Sequence, residues 1–253
     1  MWKFIYGYVR GTSHSVSDQK CQDYCASTTI GSTIVAACAD GAGSADLSHR
    51  GSKVAVERFL EVVRVSESRP EETAIESWVD AARERVIEEA AAQCVIPRQL
   101  ACTLLVAIVG TDWAVFAQIG DGVMIYNGDN GYEFVFWPDI GEYANTTRFL
   151  TDEDYRNHLK IDFKDRNINE LALMTDGLQM LALDFKESRV HDRFFEPLFR
   201  TIRSNTDEDS LQKSLLDFMD SKRVNDRTDD DKTLFLAIRN NNDVSTNEPQ
   251  QTS

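Results

Sequence analysis

The chain has 253 residues, 42% of them hydrophobic and 27% charged, which is enough to bury the core of one large domain or at most two. Its formal net charge of −15 would repel the phosphate backbone of nucleic acids, which argues against a general nucleic-acid-binding protein. No apolar run approaches the ~20 residues of a membrane span, and five cysteines without a CxxC pair predict reduced thiols and a cytoplasmic location.

The N-terminal part of the chain is predicted to form three strands followed by two helices. Alternating and apolar runs predict strands at residues 3–9, 23–29 and 33–39. The hydrophobic period becomes helical near Ser48. Pro70, followed by two glutamates, begins a second helix that ends before Pro97.

The rest of the chain is predicted to form mainly strands, with a second pair of helices near its end. Strands are expected at residues 103–109, 113–119, 123–126, 132–137, 171–174 and 233–238. Helices are expected at residues 192–203 and 207–221. Residues 138–168 are polar and irregular, which is typical of a functional flap, and the polar tail 240–253 is expected to be disordered.

The order of these elements predicts the fold class. Neither an internal repeat nor a linker divides the chain, so residues 1–239 are expected to form one domain. Two groups of strands, each associated with two helices, pack most economically as two antiparallel sheets with a helix pair on each outer face. The sequence therefore predicts an α+β fold, a four-layer α-β-β-α sandwich.

Acidic residues recur at the ends of the predicted strands. Three Asp-Gly pairs follow apolar runs, at Asp40, Asp121 and Asp176, and two further aspartates, Asp23 and Asp230, stand before strands. A single Asp-Gly pair usually marks only a turn. If the strand ends converge, however, these carboxylates repel one another unless they are protonated or bound to cations. Carboxylate, carbonyl and water ligands suit Mg²⁺ and Mn²⁺, whereas zinc would require histidine or cysteine.

Several short motifs around these acids occur in one order along the chain. They are Gln22-Asp23, Ala39-Asp40-Gly41-Ala42-Gly43, Cys102-Thr103-Leu104, Ile119-Gly120-Asp121, Met174-Thr175-Asp176-Gly177 and Asp230-Asp231-Lys232-Thr233. This series resembles the metal-dependent serine/threonine protein phosphatases (PPM, type 2C) over about residues 8–238. The segments Gly11–His14 and Cys21–Asp23 are most similar to a bacterial branch of that family.

The resemblance implies a metal centre and assigns its ligands. Asp40 would bridge two metals, the Gly41 carbonyl would bind one of them, and Asp176 and Asp230 would complete the shell of the first. Asp121 would match the acid at an optional third metal. The implied cofactors are thus two or three Mn²⁺ or Mg²⁺ ions, with Asp40, Asp176 and Asp230 as the catalytic residues.

Three further residues receive supporting roles from the resemblance. Gln22 and Asp23 would hold metal-bound waters, Asp23 more directly. Thr103 would support the metal site, although it is equally well explained as an ordinary strand residue. Asp229 and Asp231, the acids on either side of Asp230, stay open as alternatives to it as the metal ligand, because a slip of one residue in a strand exchanges the side chain that points inward.

The chemistry of such a centre requires no nucleophilic side chain. Two metals about 3.5–4 Å apart lower the pKa of a bridging water and hold a phosphoryl group for in-line attack. The expected substrates are phosphoserine and phosphothreonine on proteins that a cognate kinase has phosphorylated, with no nucleic-acid or membrane partner.

The sequence departs from the family pattern at three places. Many members carry an arginine before the Asp23 position that binds phosphate; here His14 or Lys20 is the candidate substitute, with loop capping as the alternative for His14. Ala42 replaces a histidine that is a candidate general acid in animal members, and Gln22 replaces a more usual glutamate. The missing arginine and Gln22 keep open a catalytically weak pseudophosphatase that binds phosphoproteins. A metal-dependent hydrolase of small phosphoesters or nucleotides stays open as a third interpretation, because the sequence does not fix the size of the substrate.

Overall fold

Two five-stranded sheets form the centre of the structure, a computed structural model that describes residues 1–16, 19–65, 68–129, 131–138 and 147–240. Part of the predicted flap (residues 139–146) and the predicted tail after residue 240 lie outside the described residues. The strands are β1 (Trp2–Val9), β2 (Tyr24–Ile30), β3 (Thr33–Ala39), β4 (Leu104–Val109), β5 (Ala114–Ile119), β6 (Val123–Gly128), β7 (Gly131–Phe134), β8 (Lys160–Lys164), β9 (Glu170–Met174), β10 (Leu183–Asp184), β11 (Arg189–Val190) and β12 (Lys232–Arg239).

Four longer helices and three short ones accompany the strands in the described part of the chain. They are α1 (Thr12–Val16), α2 (Ser48–Val62), α3 (Glu72–Ala92), α4 (Gln179–Ala182), α5 (Asp192–Ser204), α6 (Glu208–Met219) and α7 (Lys222–Asn225). Single 3₁₀ turns span Pro97–Leu100, Tyr155–His158 and Asp176–Leu178. Among the described residues, no helix has the length and apolar character that crossing a bilayer requires.

Both large sheets are antiparallel throughout. The first has the strand order β1-β12-β9-β6-β7, and the second has the order β2-β3-β4-β5-β8. Strands β10 and β11 form a separate two-stranded ribbon.

Three apolar clusters hold the layers together. The first joins α2 and α3 to the outer face of the second sheet, around Phe59 and Ile75. The second joins α5 and α6 to the outer face of the first sheet, around Phe199. The third lies between the two sheets and contains Phe116 and Phe235. The predicted α+β fold of four layers is therefore confirmed.

The structure differs from the sequence prediction mainly in short elements. Strand β8 lies within the segment 138–168 that was expected to be irregular, where it pairs with β5 at the edge of its sheet. Its sequence, Lys-Ile-Asp-Phe-Lys, does alternate polar and apolar residues, so the signal of a strand was present, but it is only five residues long. Helices α1, α4 and α7 have four or five residues each, too few to produce a helical hydrophobic period.

The sheet topology brings the acidic strand ends to one end of the sandwich. In an antiparallel pair the start of one strand lies beside the end of its neighbour. Tyr24 at the start of β2 therefore pairs with Ala39 at the end of β3, and Leu234 near the start of β12 pairs with Met174 at the end of β9. The approach is so close that Gly177 cannot carry a side chain: a Cβ there would lie 1.9 Å from the Asp231 carbonyl oxygen.

Candidate active site

Four aspartates converge at this end of the two sheets. Asp23 precedes β2 and Asp40 follows β3, and their carboxylates lie within hydrogen-bonding reach of each other. Asp176 follows β9 and Asp230 stands two residues before β12, and both lie close enough to Asp40 for their charges to act on it. The structure thus brings these four acids together, and Asp121, the fifth acid noted at a strand end, lies close enough to Asp176 for its charge to act on it.

The cluster disfavours the charged form of its carboxylates. Burial raises the pKa of Asp23 to about 7, against hydrogen bonds that lower it. Burial, followed by repulsion from Asp23 and Asp176, raises the pKa of Asp40 well above its usual value. Burial, with repulsion from Asp121 and Asp230, raises the pKa of Asp176 to about 8. Because no ion pair to these carboxylates offsets the repulsion, the described residues leave the cluster in need of positive charge.

Asp23 is held by two threonines that the sequence analysis did not single out. The hydroxyls of Thr175 and Thr233 donate to Asp23 Oδ2 over 2.7 and 2.8 Å, and both threonines are fully buried. Asp23 Oδ1 is buried with no hydrogen-bond donor among the described residues. The recurrence of threonine next to the acids, in Thr175-Asp176 and Asp231-Lys232-Thr233, was a signal that could have identified them.

Asp40 is positioned through its backbone by the neighbouring strand. Its amide donates to Thr103 Oγ1 over 2.8 Å, and its carbonyl accepts from the Thr103 amide over 2.8 Å. Gly41 forms an isolated bridge with Cys102, and a Cβ on Gly41 would lie 2.8 Å from both the Gln22 carbonyl and Ser48 Cβ. The absence of a side chain at Gly41 therefore lets α2 and the residues before β2 approach Asp40 closely.

Asp121 lies on a turn that buried side chains hold in place. Gln118 Nε2 donates to the carbonyls of Gly120 and Gly122, both over 2.9 Å, and Gly120 has a φ of +99° that favours glycine. Asp121 Oδ2 accepts from Thr147 Oγ1 over 2.8 Å, which connects this turn to the segment 147–154.

The structure separates the roles of the adjacent acids Asp230 and Asp231. Asp231 is buried and accepts from the amides of Gly11 and Gln22 over 2.6 and 2.5 Å, so it fastens the N-terminal segment to β12. Asp230 is the most exposed acid of the cluster and faces Asp40 and Asp176. Burial raises the pKa of Asp230 as well.

The two predicted phosphate-binding residues differ in their surroundings. His14 Nδ1 lies 3.0 Å from Asp231 Oδ1, so the ring is held against the acid that also binds Gln22. Lys20 is exposed and lies near His49, where its charge contributes, after burial, to lowering the pKa of the imidazole.

The oxygen atoms of the cluster fit hard divalent cations. Besides Asp23 Oδ1, the side-chain oxygen of Gln22 is buried without a donor, and it faces the turn at Gly43. Unpartnered oxygens beside carboxylates that repel one another are the environment that Mg²⁺ or Mn²⁺ would satisfy. The described residues contain no group of three or more His, Cys, Asp or Glu side chains already drawn together as metal ligands. Mutual repulsion between the carboxylates opposes such a closed arrangement.

Comparison with known proteins establishes the family. A model of the family "Protein phosphatase 2C" matches residues 10–220, most of the chain. The chain belongs to the protein phosphatase 2C family. Serine/threonine-protein phosphatase 3 of Escherichia coli (strain K12) is 35% identical over 251 residues, which cover 94% of this chain and 98% of that protein.

Solved structures of other proteins show the same fold. Serine/threonine phosphatase Stp1 from Staphylococcus aureus matches with a TM-score of 0.67 and 15% identity, over 95% of this chain and 96% of that one. RsbX, solved in complex with magnesium, matches with a TM-score of 0.55 and 14% identity, over 94% of each chain. Membership of the protein phosphatase 2C family confirms the family, fold class and enzyme class predicted from the motifs.

Proposed function

We propose that this protein phosphatase 2C is a metal-dependent enzyme that hydrolyses phosphoserine and phosphothreonine on proteins. The observation that carries the proposal is the cluster of Asp23, Asp40, Asp176 and Asp230 at one end of both sheets, where burial and repulsion from neighbouring carboxylates raise the pKa of each of the four. Such a cluster disfavours folding and is explained if its oxygens serve as ligands.

The metal ligands in this proposal are Asp40, the Gly41 carbonyl, Asp176 and Asp230, with Asp23 and Gln22 contacting bound water and Asp121 serving an additional ion. Two or three Mn²⁺ or Mg²⁺ ions are the proposed cofactors, and the magnesium complex of RsbX supports the choice of a hard divalent cation. When bound, such ions activate water and neutralise phosphoryl oxygens.

The protein's own residues hold the ligand oxygens in place. Thr175 and Thr233 fix one oxygen of Asp23 and leave the other available to the site. Thr103 fixes the backbone of Asp40 and therefore the direction in which its carboxylate points. Positioning of this kind lowers the reorganisation that catalysis would otherwise require.

We propose that the substrate binds in a cleft beside the aspartate cluster. A cavity of about 920 Å³ is lined by Ala42 and Ser44 on one side and by residues 147–149 and 151–154 on the other. Arg98 and Arg148 also line it, and neither guanidinium forms an ion pair or hydrogen bond among the described residues. We propose that this cleft accepts the phosphorylated segment and that residues 138–168 act as its flap.

Of the two candidates for binding the substrate phosphate, His14 and Lys20, the proposal favours Lys20. The contact between His14 and Asp231 supports the alternative that His14 holds the local structure, which leaves the exposed Lys20 as the proposed phosphate-binding cation. Ala42 is buried and has no proton to donate, so the donor to the leaving group is not assigned to a side chain. We also propose a cytoplasmic location, which the five free cysteines support. A cognate kinase follows from the proposed substrate, since a phosphoprotein must first be phosphorylated.

The proposal is tested by metal-dependent turnover. Purified protein is given p-nitrophenyl phosphate and a phosphothreonine peptide, with Mn²⁺ or with chelator, as wild type, Asp40→Asn and Asp176→Asn. The control is Asp112→Asn, an exposed acid in the turn between β4 and β5.

We expect Mn²⁺-dependent activity in the wild type and in Asp112→Asn, and a loss of at least about a hundredfold in the two cluster variants, because each removes a charge that holds the cofactor. Activity of Asp40→Asn at the wild-type level would refute the ligand assignment. Tight phosphopeptide binding without turnover would support the pseudophosphatase, and turnover of p-nitrophenyl phosphate alone would support the hydrolase of small phosphoesters.

A further inference from the structure

A second cavity lies on the outer helical layer, and no residue of the aspartate cluster lines it. It has a volume of about 490 Å³ and is enclosed by α4, α5, α6 and α7. We refer to it as the arginine groove. Its apolar surface comes from Leu181 on α4, Phe194 and Leu198 on α5, and Phe218 on α6. A volume of this size accommodates one or two bulky apolar side chains of a ligand.

An exposed methionine extends this apolar surface to the solvent. Met180 lines the groove and is 66% exposed, one of four large hydrophobic residues that the described part of the chain leaves exposed. Methionine adapts its shape to different apolar partners. The position of Met180 is thus explained if another molecule covers it.

Three arginines and no acidic residue line the same groove. Arg193 comes from the first turn of α5, Arg223 from α7, and Arg227 from the turn that follows α7. None of the three guanidiniums forms an ion pair or hydrogen bond among the described residues. This is unusual in a chain whose formal net charge is −15, where carboxylate partners are abundant.

The two acids adjacent in sequence to Arg227 and Arg193 are directed to other partners. Asp226 pairs with Lys222 over 2.7 Å, and Asp192 accepts from the Tyr132 amide over 3.1 Å. The groove therefore keeps a local positive charge on a negatively charged protein, which attracts anionic groups. Because the three arginines come from separate elements, they suit several carboxylates along a peptide better than the single head group of a small amphiphile.

We propose that the arginine groove binds an acidic peptide segment that carries a bulky apolar side chain, supplied by the phosphoprotein substrate at a distance from its phosphorylated residue. The carboxylates contact the arginines and the apolar side chain fills the space between Phe194, Leu198 and Phe218. The peptide-binding part stands on the groove alone, whereas the assignment of the peptide to a substrate rests on the proposed phosphatase function. Docking at a second site raises the effective concentration of the phosphorylated residue at the cleft.

The test begins with an unbiased selection and continues with direct binding. A phage-displayed library of random 12-residue peptides is selected on the full-length protein, and the enriched peptides are labelled for fluorescence anisotropy. Binding is measured with the wild type, Arg193→Glu/Arg223→Glu and Met180→Glu. Arg193→Glu alone is also measured, and its matched control is Arg200→Glu, which makes the same single charge reversal on an exposed residue of α5 that does not line the groove. Melting temperatures verify that every variant is folded.

We expect enriched peptides that combine acidic residues with phenylalanine, leucine or tryptophan. The double variant should weaken their binding at least tenfold, Met180→Glu should weaken it severalfold, and Arg200→Glu should leave it within twofold. Binding should also weaken as NaCl is raised, because exposed charges are screened. No acidic-apolar enrichment, or equal binding by the double variant, would overturn the proposal. Binding of dodecanoate or anionic vesicles without binding of any selected peptide would assign the groove to lipid and would also overturn it.

A kinetic measurement separates this proposal from the phosphatase function. A selected peptide is joined by a flexible linker to a phosphothreonine peptide. We expect its KM to fall at least fivefold for the wild type but not for the double variant, with kcat and the turnover of p-nitrophenyl phosphate unchanged. Peptide binding without any turnover would leave the groove established and refute only the phosphatase proposal. Turnover with no effect of the appended peptide on KM would refute the docking role.

Discussion

At the scale of single residues, the aspartates of the cluster oppose the stability of the protein that carries them. Asp23 and Asp40 lie side by side, shielded from water, where burial and repulsion favour protonation. Burying a carboxylate without a cation is costly. A residue kept in such a position is explained by a function that needs its charge.

Neutralising Asp40 should therefore stabilise the chelator-treated protein. In Asp40→Asn the repulsion from Asp23 and Asp176 is removed and the new amide can donate to a neighbouring oxygen. We expect the Tm in chelator to rise by about 2–4 °C, which corresponds to about 1 kcal/mol for a domain of this size. Differential scanning calorimetry of the wild type, Asp40→Asn and Asp112→Asn measures the change. A fall in the Tm of Asp40→Asn would show that the carboxylate is stabilised in the absence of metal.

Thr103 should prove to be more than an ordinary strand residue. In Thr103→Val the Asp40 amide loses the hydroxyl acceptor that lies 2.8 Å away. Leaving a buried donor unpaired costs about 1–3 kcal/mol, and the displacement of Asp40 should reduce the apparent affinity for Mn²⁺ in activity titrations. Thr103→Ser retains the hydroxyl and should keep that affinity near the wild-type value. If both variants lose stability but keep wild-type Mn²⁺ dependence, Thr103 contributes only to packing.

At the scale of secondary-structure elements, the site depends on how closely strand ends and helix starts approach one another. The turn after β3 lies against the start of α2 and against the residues that precede β2. Gly41 permits this contact, since any Cβ there would meet the Gln22 carbonyl and Ser48 at less than 3 Å. At Gly43, two residues later, a Cβ would have one neighbour within 4 Å, the Gln22 side-chain oxygen at 3.9 Å, which is an ordinary contact distance.

These two glycines allow a matched test of element packing. Gly41→Ala should move α2 away from the strand ends, at a cost of about 1–3 kcal/mol, and should lower activity because Asp40 moves as well. Gly43→Ala should change the Tm by less than about 2 °C and keep most of the activity. Thermal unfolding and p-nitrophenyl phosphate turnover of both variants measure the difference. Equal effects of the two substitutions would contradict the packing explanation.

At the scale of the whole molecule, cation binding and folding should be coupled. The cluster draws on both sheets, with Asp23 and Asp40 on the second sheet and Asp176 and Asp230 on the first, so a bound ion would join the two halves of the sandwich. A ligand that binds only the folded state stabilises it by about 2.7 kcal/mol at one hundred times its Kd.

Addition of Mn²⁺ to the metal-free protein should therefore raise its Tm by several degrees, and chelator should reverse the rise. A net charge of −15 also makes the protein respond to ionic strength, so NaCl of equal ionic strength is the control. The Mn²⁺-specific rise should be absent from Asp176→Asn. A rise of the same size with NaCl alone would show general screening instead of a specific site.

Local patterns in the sequence were sufficient to predict the fold and to single out the acids that we propose as metal ligands. Long apolar runs and helical periods predicted the main strands and helices within a few residues, because those elements bury continuous faces whose period is visible locally. The repeated acids at strand ends, such as Asp40 and Asp176, indicated a cluster if those ends converged, and they do lie together because neighbouring antiparallel strands return to the same edge.

Other features depend on contacts between residues that are distant in the chain, and only the tertiary structure decided them. The partners of Asp23 are 152 and 210 residues away from it, at Thr175 and Thr233, so their positions beside acids could single them out but no local pattern could pair them with Asp23. The separation of Asp230 from Asp231 depended on which side chain met Gly11 and Gln22. The arginine groove likewise exists only because α4, α5, α6 and α7 pack together, since arginines 30 or more residues apart in the sequence, such as Arg193 and Arg223, carry no signal of a shared surface.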